Sequence, residues 1–432
     1  MQNSTTGREA SEWLDTDRNI IWHPFTPLGK KEPPILITGG RGAYLLTHDG
    51  RAILDAVSSW WVNLHGHGHP DIAQAVAEQA QTLEHVIFAG FTHKPAIELA
   101  EHLRSALPFP QGRIFYSDNG STAVEVALKI ALQYWYILGR EKRKVVALKG
   151  AYHGDTFGSM AVGERGLFTR PFHPLLFEVT FIDFPTPSRA ENVLNQFKLA
   201  IEADDVACFI YEPLVQAAGG MRMYSADVLE QMLGYAKKNE VLCIADEVFT
   251  GFGRTGKMFA SEYLKQAPDL IALSKGLTGG TLPLGVTGVS QKVYAAFEDD
   301  GPECTFYHGH SYTANPIACA AANASYSLLQ QQNCKTAIAR ISKSHAEFVM
   351  KIHSHHRVRD ARSLGTILAI EIDAGETRYD NQIAADMYRF FLHRGILLRP
   401  LGNVIYTVPP YVTTEEDCQR IYTAITDFLD RL

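Results

Sequence analysis

Through the middle of the chain, short runs of apolar residues alternate with stretches whose apolar positions recur every third or fourth residue. The runs predict strands at Arg113–Tyr116, Lys144–Leu148, Val206–Tyr211, Val241–Ala245 and Leu270–Leu273, and the stretches between them predict helices. This alternation is the pattern of βαβ units and a mainly parallel sheet. One helix is written clearly. Ala123, Ala127, Ile130, Tyr134 and Leu138 share a face, and Glu125 and Lys129 stand at the spacing of an i, i+4 ion pair. Sheets of this kind bind ligands at the carboxyl ends of their strands, so the residues just after each run are where chemistry is expected.

The two ends of the chain read differently. Pro24, Pro27, Pro33, Pro34 and paired glycines break up the start. After about residue 330 a long polar helical pattern gives way to the strand-like GTILAIEI and ILLRPLGNVIYTVPP. Residues 1–60 with 330–432 are therefore expected to form one small α+β domain, and residues 61–329 the large one. At 432 residues the chain can bury enough surface to fold without disulfide or metal staples.

Charge and composition narrow the function classes. A net charge of −7 argues against nucleic acid and anionic membranes as partners, since those need clustered Lys and Arg. No apolar run reaches the roughly 18 residues of a membrane span. The start, MQNSTTGREASEWLD, is too polar for a secretory signal. The six cysteines include no CxxC pair, and Cys208 and Cys243 sit inside apolar runs as small hydrophobes. A reduced, cytoplasmic enzyme is the expectation.

Four strand ends carry candidate chemistry. After Arg113–Tyr116, Gly120 and Ser121 open the helix, where free N–H groups and the positive end of the dipole suit a phosphate; a plain N-cap reads equally well. After Lys144–Leu148, Tyr152 could lie on a flat ligand or pack as an ordinary loop aromatic. After Val241–Ala245, Asp246 ends a buried strand and needs a cation, for which Arg254 is the structural alternative. After Leu270–Leu273, Lys275 is either a surface charge or a buried amine with a depressed pKa, as carbonyl chemistry requires. Together the four form the set that pyridoxal 5′-phosphate (PLP) needs: a phosphate anchor, a ring stack, an anion for the pyridinium nitrogen and an amine for the aldehyde.

Three patterns compete. Gly251–Gly256 matches GxGxxG, but the following strand ends in Lys275 and lacks the acidic residue a dinucleotide site wants. The same stretch nearly matches a P-loop, with Met258 in place of the magnesium-binding hydroxyl residue. His65, His67 and His69 form a tract that a metal-dependent hydrolase could use, although two glycines and Pro70 favour a turn.

LCIADEVFTGFGRTGKMFA, followed by Asp269 and Ser-Lys275-Gly, resembles the class III (ω-type) aminotransferases of PLP fold type I. Within that class, IWHPFT, SSWWVNLHGHGHP, FAGFTHKPAIELA, YSDNGSTAVEVALKIALQYW, AYHGDTFG and RPLGNVIYTVPP resemble the branch that makes 7,8-diaminononanoate from 8-amino-7-oxononanoate for biotin. The resemblance implies an α/β large domain with a mostly parallel seven-stranded sheet, a small domain from both termini, and a homodimer with shared active sites. It implies that Gly120 and Ser121 hold the PLP phosphate, with His310 and Ser311 of HGHSYT reaching the phosphate bound in the partner subunit. It implies further that Lys275 carries the cofactor, Asp246 pairs with its ring nitrogen, Tyr152 covers its face, and Glu212 and Gln216 support its hydroxyl side. Phe25, Trp60, Trp61, Tyr152, Arg254, Lys275, Gly309 and Arg399 would line the substrate site, with Arg399 suited to a carboxylate. The implied donor is S-adenosylmethionine. Phe25 in place of a tyrosine and His310 in place of a proline resemble a lysine-using branch, so lysine, or another ω-aminotransferase substrate, is the alternative.

Overall fold

The computed structural model describes residues 9–29, 34–375 and 381–432, so Pro33 and parts of the expected terminal domain lie outside the described residues. Seven strands build the central sheet: β1 Arg113–Ser117, β2 Lys144–Leu148, β3 Val179–Ile182, β4 Val206–Tyr211, β5 Leu242–Asp246, β6 Leu270–Leu273 and β7 Gly285–Val289. Their order across the sheet is β1-β7-β6-β5-β4-β2-β3. Every adjacent pair is parallel except those that β7 makes with β1 and β6. β4, β5 and β6 are buried along their whole length, as befits strands covered on both faces.

The helix Gly120–Ile137 packs Ala123, Ala127, Ile130 and Tyr134 onto one face of the sheet, while Leu138 lies beyond its last turn and is largely exposed. Asn119 and Thr122 close its N-terminus with a reciprocal capping box. The expected Glu125–Lys129 pair is replaced by more specific bonds. Glu125 accepts from the Thr156 hydroxyl and from the N–H groups of Gly158 and Ser159, and Lys129 Nζ lies 3.0 Å from His308 Nδ1.

Two strands fall outside the sequence expectation. β3 is short and half-exposed, and β7 reads GVTGV, with two glycines where a strand former would be expected. Packing explains the second case. A Cβ on Gly288 would stand 2.6 Å from Ile271 Cγ2, and one on Gly285 would stand 2.3 Å from the Asn119 carbonyl oxygen. β5 also runs one residue later than the apolar run suggests, so Asp246 is itself the last residue of the strand.

Both ends of the chain meet beside this sheet. Ile37–Arg41, Tyr44–Thr47 and Ala52–Asp55 pair antiparallel, and Ile396–Leu397 adds to Ala52–Asp55 in parallel. Val358–Leu364, Ile367–Ile372 and Val404–Thr407 form a second, antiparallel sheet. Among the described residues no helix is long and apolar enough to cross a membrane.

The glycine-rich Gly251–Gly256 stretch runs through turns rather than into a helix, which removes the geometry that a dinucleotide or phosphate loop needs. A buried carboxylate folds it. Glu247 accepts from the Thr250 hydroxyl at 2.6 Å, the Ser261 hydroxyl at 2.8 Å, and the N–H groups of Ala260 and Ser261 at 2.9 and 2.7 Å. We expect Glu247→Ala, which strands four donors without an acceptor, to cost about 3 kcal/mol of stability in urea unfolding. A loss near zero would show that the loop does not depend on this carboxylate.

Candidate active site

Lys275 follows β6 after one residue, Ser274. Its backbone takes the left-handed conformation, φ 48°, that a non-glycine residue avoids unless its surroundings impose it, and the Ser274 hydroxyl ties the bend to the Leu284 carbonyl at 2.7 Å. The side chain opens into a cavity of about 620 Å³ lined by Trp61, Asn119–Ser121, Tyr152–Thr156, Glu212, Asp246 and Lys275. Nζ lies 4.5 Å from the centroid of the Trp61 ring and 5.8 Å from that of Phe249. Burial pulls its pKa down from 10.5 to about 8, against the opposing pull of Asp246 and Glu212.

The carboxylates beside it are held in different ways. Asp246 meets His153, whose Nδ1 lies 2.6 Å from Oδ2, and accepts the Val248 N–H at 3.1 Å. It does not meet Arg254, the partner that a structural reading of the sequence offered. Glu212 accepts the N–H groups of Tyr152 and Ala217, each at 3.0 Å, and burial raises its pKa to about 7 while His153 opposes the rise. The Tyr152 hydroxyl donates to Asp155 at 3.0 Å and is pushed up by burial.

At the far end of the cavity stand Gly120 and Ser121, at the N-terminus of an 18-residue helix. Gly154 approaches so closely that a Cβ there would lie 2.1 Å from Ser121 Oγ, and Asp155 N–H donates to that oxygen at 3.2 Å. A second cavity of about 840 Å³ shares Trp61, Tyr152 and Lys275 with the first and adds Phe25, Trp60, Arg399 and Tyr406. The Arg399 guanidinium lies 4.5 Å from the Trp60 ring centroid, and Phe25 meets Trp60 edge-on at 5.4 Å.

Several expected site residues lie elsewhere. Arg254 is 1% exposed, donates to the carbonyls of Trp61, Asn63 and Pro409, and lines neither cavity. Gln216 is fully buried and accepts from Arg222 at 2.5 Å, and it lines neither cavity. Gly309, His310 and Ser311 do not line either cavity; the His310 ring lies 4.0 Å from Asp118. The three histidines of the tract turn to separate partners: His65 to Ser325, His67 to Asp55, and His69 to the N–H of Asp71. That divergence removes the shared face a metal hydrolase would require. The sequence reading missed His153, although it stands beside Tyr152 in the same motif, and it missed Phe168 and Tyr406, which come from separate segments.

The strand-end amine, the buried carboxylate, the aromatic side chain and the helix N-terminus sit around one cavity, and the close Gly154–Ser121 approach leaves backbone and hydroxyl to face an anion. This set fits PLP. Fold and site together define a fold type I PLP-dependent aminotransferase.

The class-III aminotransferase family model matches residues 26–429. The chain belongs to the class III aminotransferases, and PLP is its cofactor. It is 47% identical over 420 residues to the adenosylmethionine-8-amino-7-oxononanoate aminotransferase of Synechococcus elongatus, covering 95% of this chain and 99% of that protein. The enzyme of the same name from Helicobacter pylori is 35% identical, with 96% and 97% covered. The crystal structure of the Methanocaldococcus jannaschii enzyme of that name superposes with a TM-score of 0.91 at 35% identity, covering 97% of this chain and 99% of the other.

We expect the cofactor-free protein to show Lys275 reacting with an amine-selective reagent along a pH curve centred near 8, read by mass spectrometry of the labelled peptide. The sign follows from burial, which favours the neutral, nucleophilic form, so reactivity appears at lower pH than for a solvated lysine. A midpoint near 10.5 would mean that the amine is not desolvated.

Proposed function

We propose that this enzyme transfers an amino group from S-adenosylmethionine to 8-amino-7-oxononanoate, giving 7,8-diaminononanoate in biotin synthesis. The observation that carries the reading is the placement of Arg399 on Trp60 in a cavity that opens onto Lys275. A guanidinium backed by an aromatic face suits the terminal carboxylate of a long, otherwise apolar acceptor. The relatives' names supply the substrates.

The residue roles follow from position. Gly120 and Ser121 would bind the PLP phosphate, Tyr152 would lie against the ring, and Asp246 with His153 would keep a proton on the ring nitrogen. When bound, PLP supplies an electron sink for the carbon that bears the transferred amine. Lys275 would hold the cofactor, and its depressed pKa lets Nζ take up and give back a proton near neutral pH. The buried Trp61 ring, 4.5 Å from Lys275 Nζ, would keep water from that face of the amine. Glu212, whose carboxyl pKa is pushed up by burial to about 7, would face the cofactor's hydroxyl side.

We further infer a cytoplasmic homodimer with shared sites. Trp22, Phe91, Tyr307 and Tyr312 are more than half exposed, an apolar surface that suits a second copy of the chain. Gly309, His310 and Ser311 would then serve the cavity of the partner.

Two measurements test the function. Purified holoenzyme given 8-amino-7-oxononanoate is expected to turn over with S-adenosylmethionine and not with lysine; the reverse preference would overturn the donor. Arg399→Ala is expected to raise the KM for the acceptor on the order of a hundredfold, the scale of a lost charge-assisted hydrogen-bond pair. An unchanged KM would remove Arg399 from the carboxylate site.

A further inference from the structure

The segment Ser58-Ser59-Trp60-Trp61 has positive φ throughout, at 51°, 47°, 78° and 74°. Four consecutive residues, none of them glycine, thus make a left-handed turn that L-residues avoid. Something outside the turn must hold it, and the structure shows what does. Asp55 is fully buried, and its Oδ1 accepts the N–H groups of Val57 and Ser59 at 3.4 and 2.9 Å. Its Oδ2 accepts the Ser59 hydroxyl at 2.7 Å and faces His67 Nε2 at 2.9 Å.

The His67 tautomer can be read from its other neighbour. Asn63 Oδ1 accepts the Gly66 N–H at 2.7 Å, so the Asn63 amide nitrogen is the atom 3.3 Å from His67 Nδ1. An amide nitrogen only donates, which leaves Nδ1 the acceptor and puts the ring proton on Nε2, toward Asp55. The imidazole sits in a close-fitting slot, since a Cβ on Gly40 would stand 2.7 Å from His67 Cβ. From the other side, Arg254 binds the carbonyls of Trp61 and Asn63.

The turn presents both indoles to the site. Trp61 lies over Lys275 Nζ at 4.5 Å and donates Nε1–H to the Tyr406 hydroxyl at 3.1 Å, while Trp60 lies under Arg399 at 4.5 Å. We propose that Asp55, oriented by His67, is a positioning residue whose carboxylate holds the left-handed turn and so seats Trp61 over the reactive lysine and Trp60 beneath the carboxylate-binding arginine. Asp55 lines neither cavity. It acts through three bonds, from the N–H groups of Val57 and Ser59 and the Ser59 hydroxyl, to a segment that would otherwise relax to ordinary φ. The assignment goes beyond the proposed reaction, and only its kinetic arm rests on the acceptor named above.

The test compares wild type, Asp55→Asn and the double variant Asp55→Asn with Ser59→Gly. Asparagine keeps the size of the side chain but replaces Oδ2 with a nitrogen that cannot accept from Ser59 or His67. Glycine at 59 adopts positive φ without steric cost, so it compensates only if Asp55 works through the turn. In cofactor-free protein, Asp55→Asn is expected to weaken the near-ultraviolet circular dichroism of the tryptophans. In holoenzyme it is expected to raise the KM for 8-amino-7-oxononanoate on the order of tenfold, with a smaller change in kcat, which is the scale of losing bonds to a buried charge. Adding Ser59→Gly should recover both readouts. A folded Asp55→Asn with wild-type dichroism and KM overturns the proposal, and so does a loss that Ser59→Gly leaves unrepaired. If Asp55→Asn does not fold, His67→Asn is expected to give a smaller change of the same sign, again repaired by Ser59→Gly; wild-type behaviour of His67→Asn overturns the proposal. The dichroism arm needs no substrate, so failure of the acceptor reading and failure of the turn assignment give different results.

Discussion

Burying a primary amine beside two carboxylates sets opposite demands on one proton, and the site at the carboxyl end of the sheet is organised around that conflict. Desolvation favours neutral Lys275, Asp246 and Glu212 favour the charged form, and the balance falls at about 8. Burial without the carboxylates would leave an amine that never takes up a proton near pH 7. The carboxylates without burial would leave one that never gives it up. Each neighbouring element serves one side of this balance: β5 delivers Asp246 at its last residue, the segment after β4 delivers Glu212, and the Trp61 ring keeps water from one face of Nζ.

Two adjoining cavities divide the remaining work. The inner one gathers the groups proposed to bind the cofactor on rigid elements: strand ends, a capped helix N-terminus and a carboxylate tied to His153. The outer one is aromatic and carries Arg399, and its wall comes from both ends of the chain, Phe25 and Trp60 from one and Arg399 and Tyr406 from the other. The four-stranded sheet that joins Ala52–Asp55 to Ile396–Leu397 brings those ends together. The residues proposed to bind the acceptor therefore lie on the terminal segments, and those proposed to hold the cofactor lie at the ends of the central strands.

What the sequence made legible is what local pattern encodes. Apolar runs of β4, β5 and β6, and the residues that follow β5 and β6, stand out because parallel strands are apolar throughout and end abruptly at polar groups. β7 was hidden because Gly285 and Gly288 answer to neighbours distant in sequence, Asn119 and Ile271. Arg254 reads in the sequence as a partner for Asp246, and nothing local reveals that its acceptors are the carbonyls of Trp61, Asn63 and Pro409. The left-handed turn at Ser58–Trp61 was equally hidden, since none of its residues favours that conformation and its support comes from Asp55, Val408 and Arg254. The histidine tract carried a real signal with a different meaning, because His67 braces a carboxylate rather than a metal.

Everything proposed for the site depends on which amine binds the cofactor. Borohydride reduction of the holoprotein, followed by proteolysis and mass spectrometry, reads this directly by fixing a pyridoxyl group to the lysine that held it. One modified peptide is expected, spanning Lys275, and none from Lys275→Ala. A pyridoxyl group on any other lysine, or an unmodified Lys275 peptide from coloured protein, would contradict it.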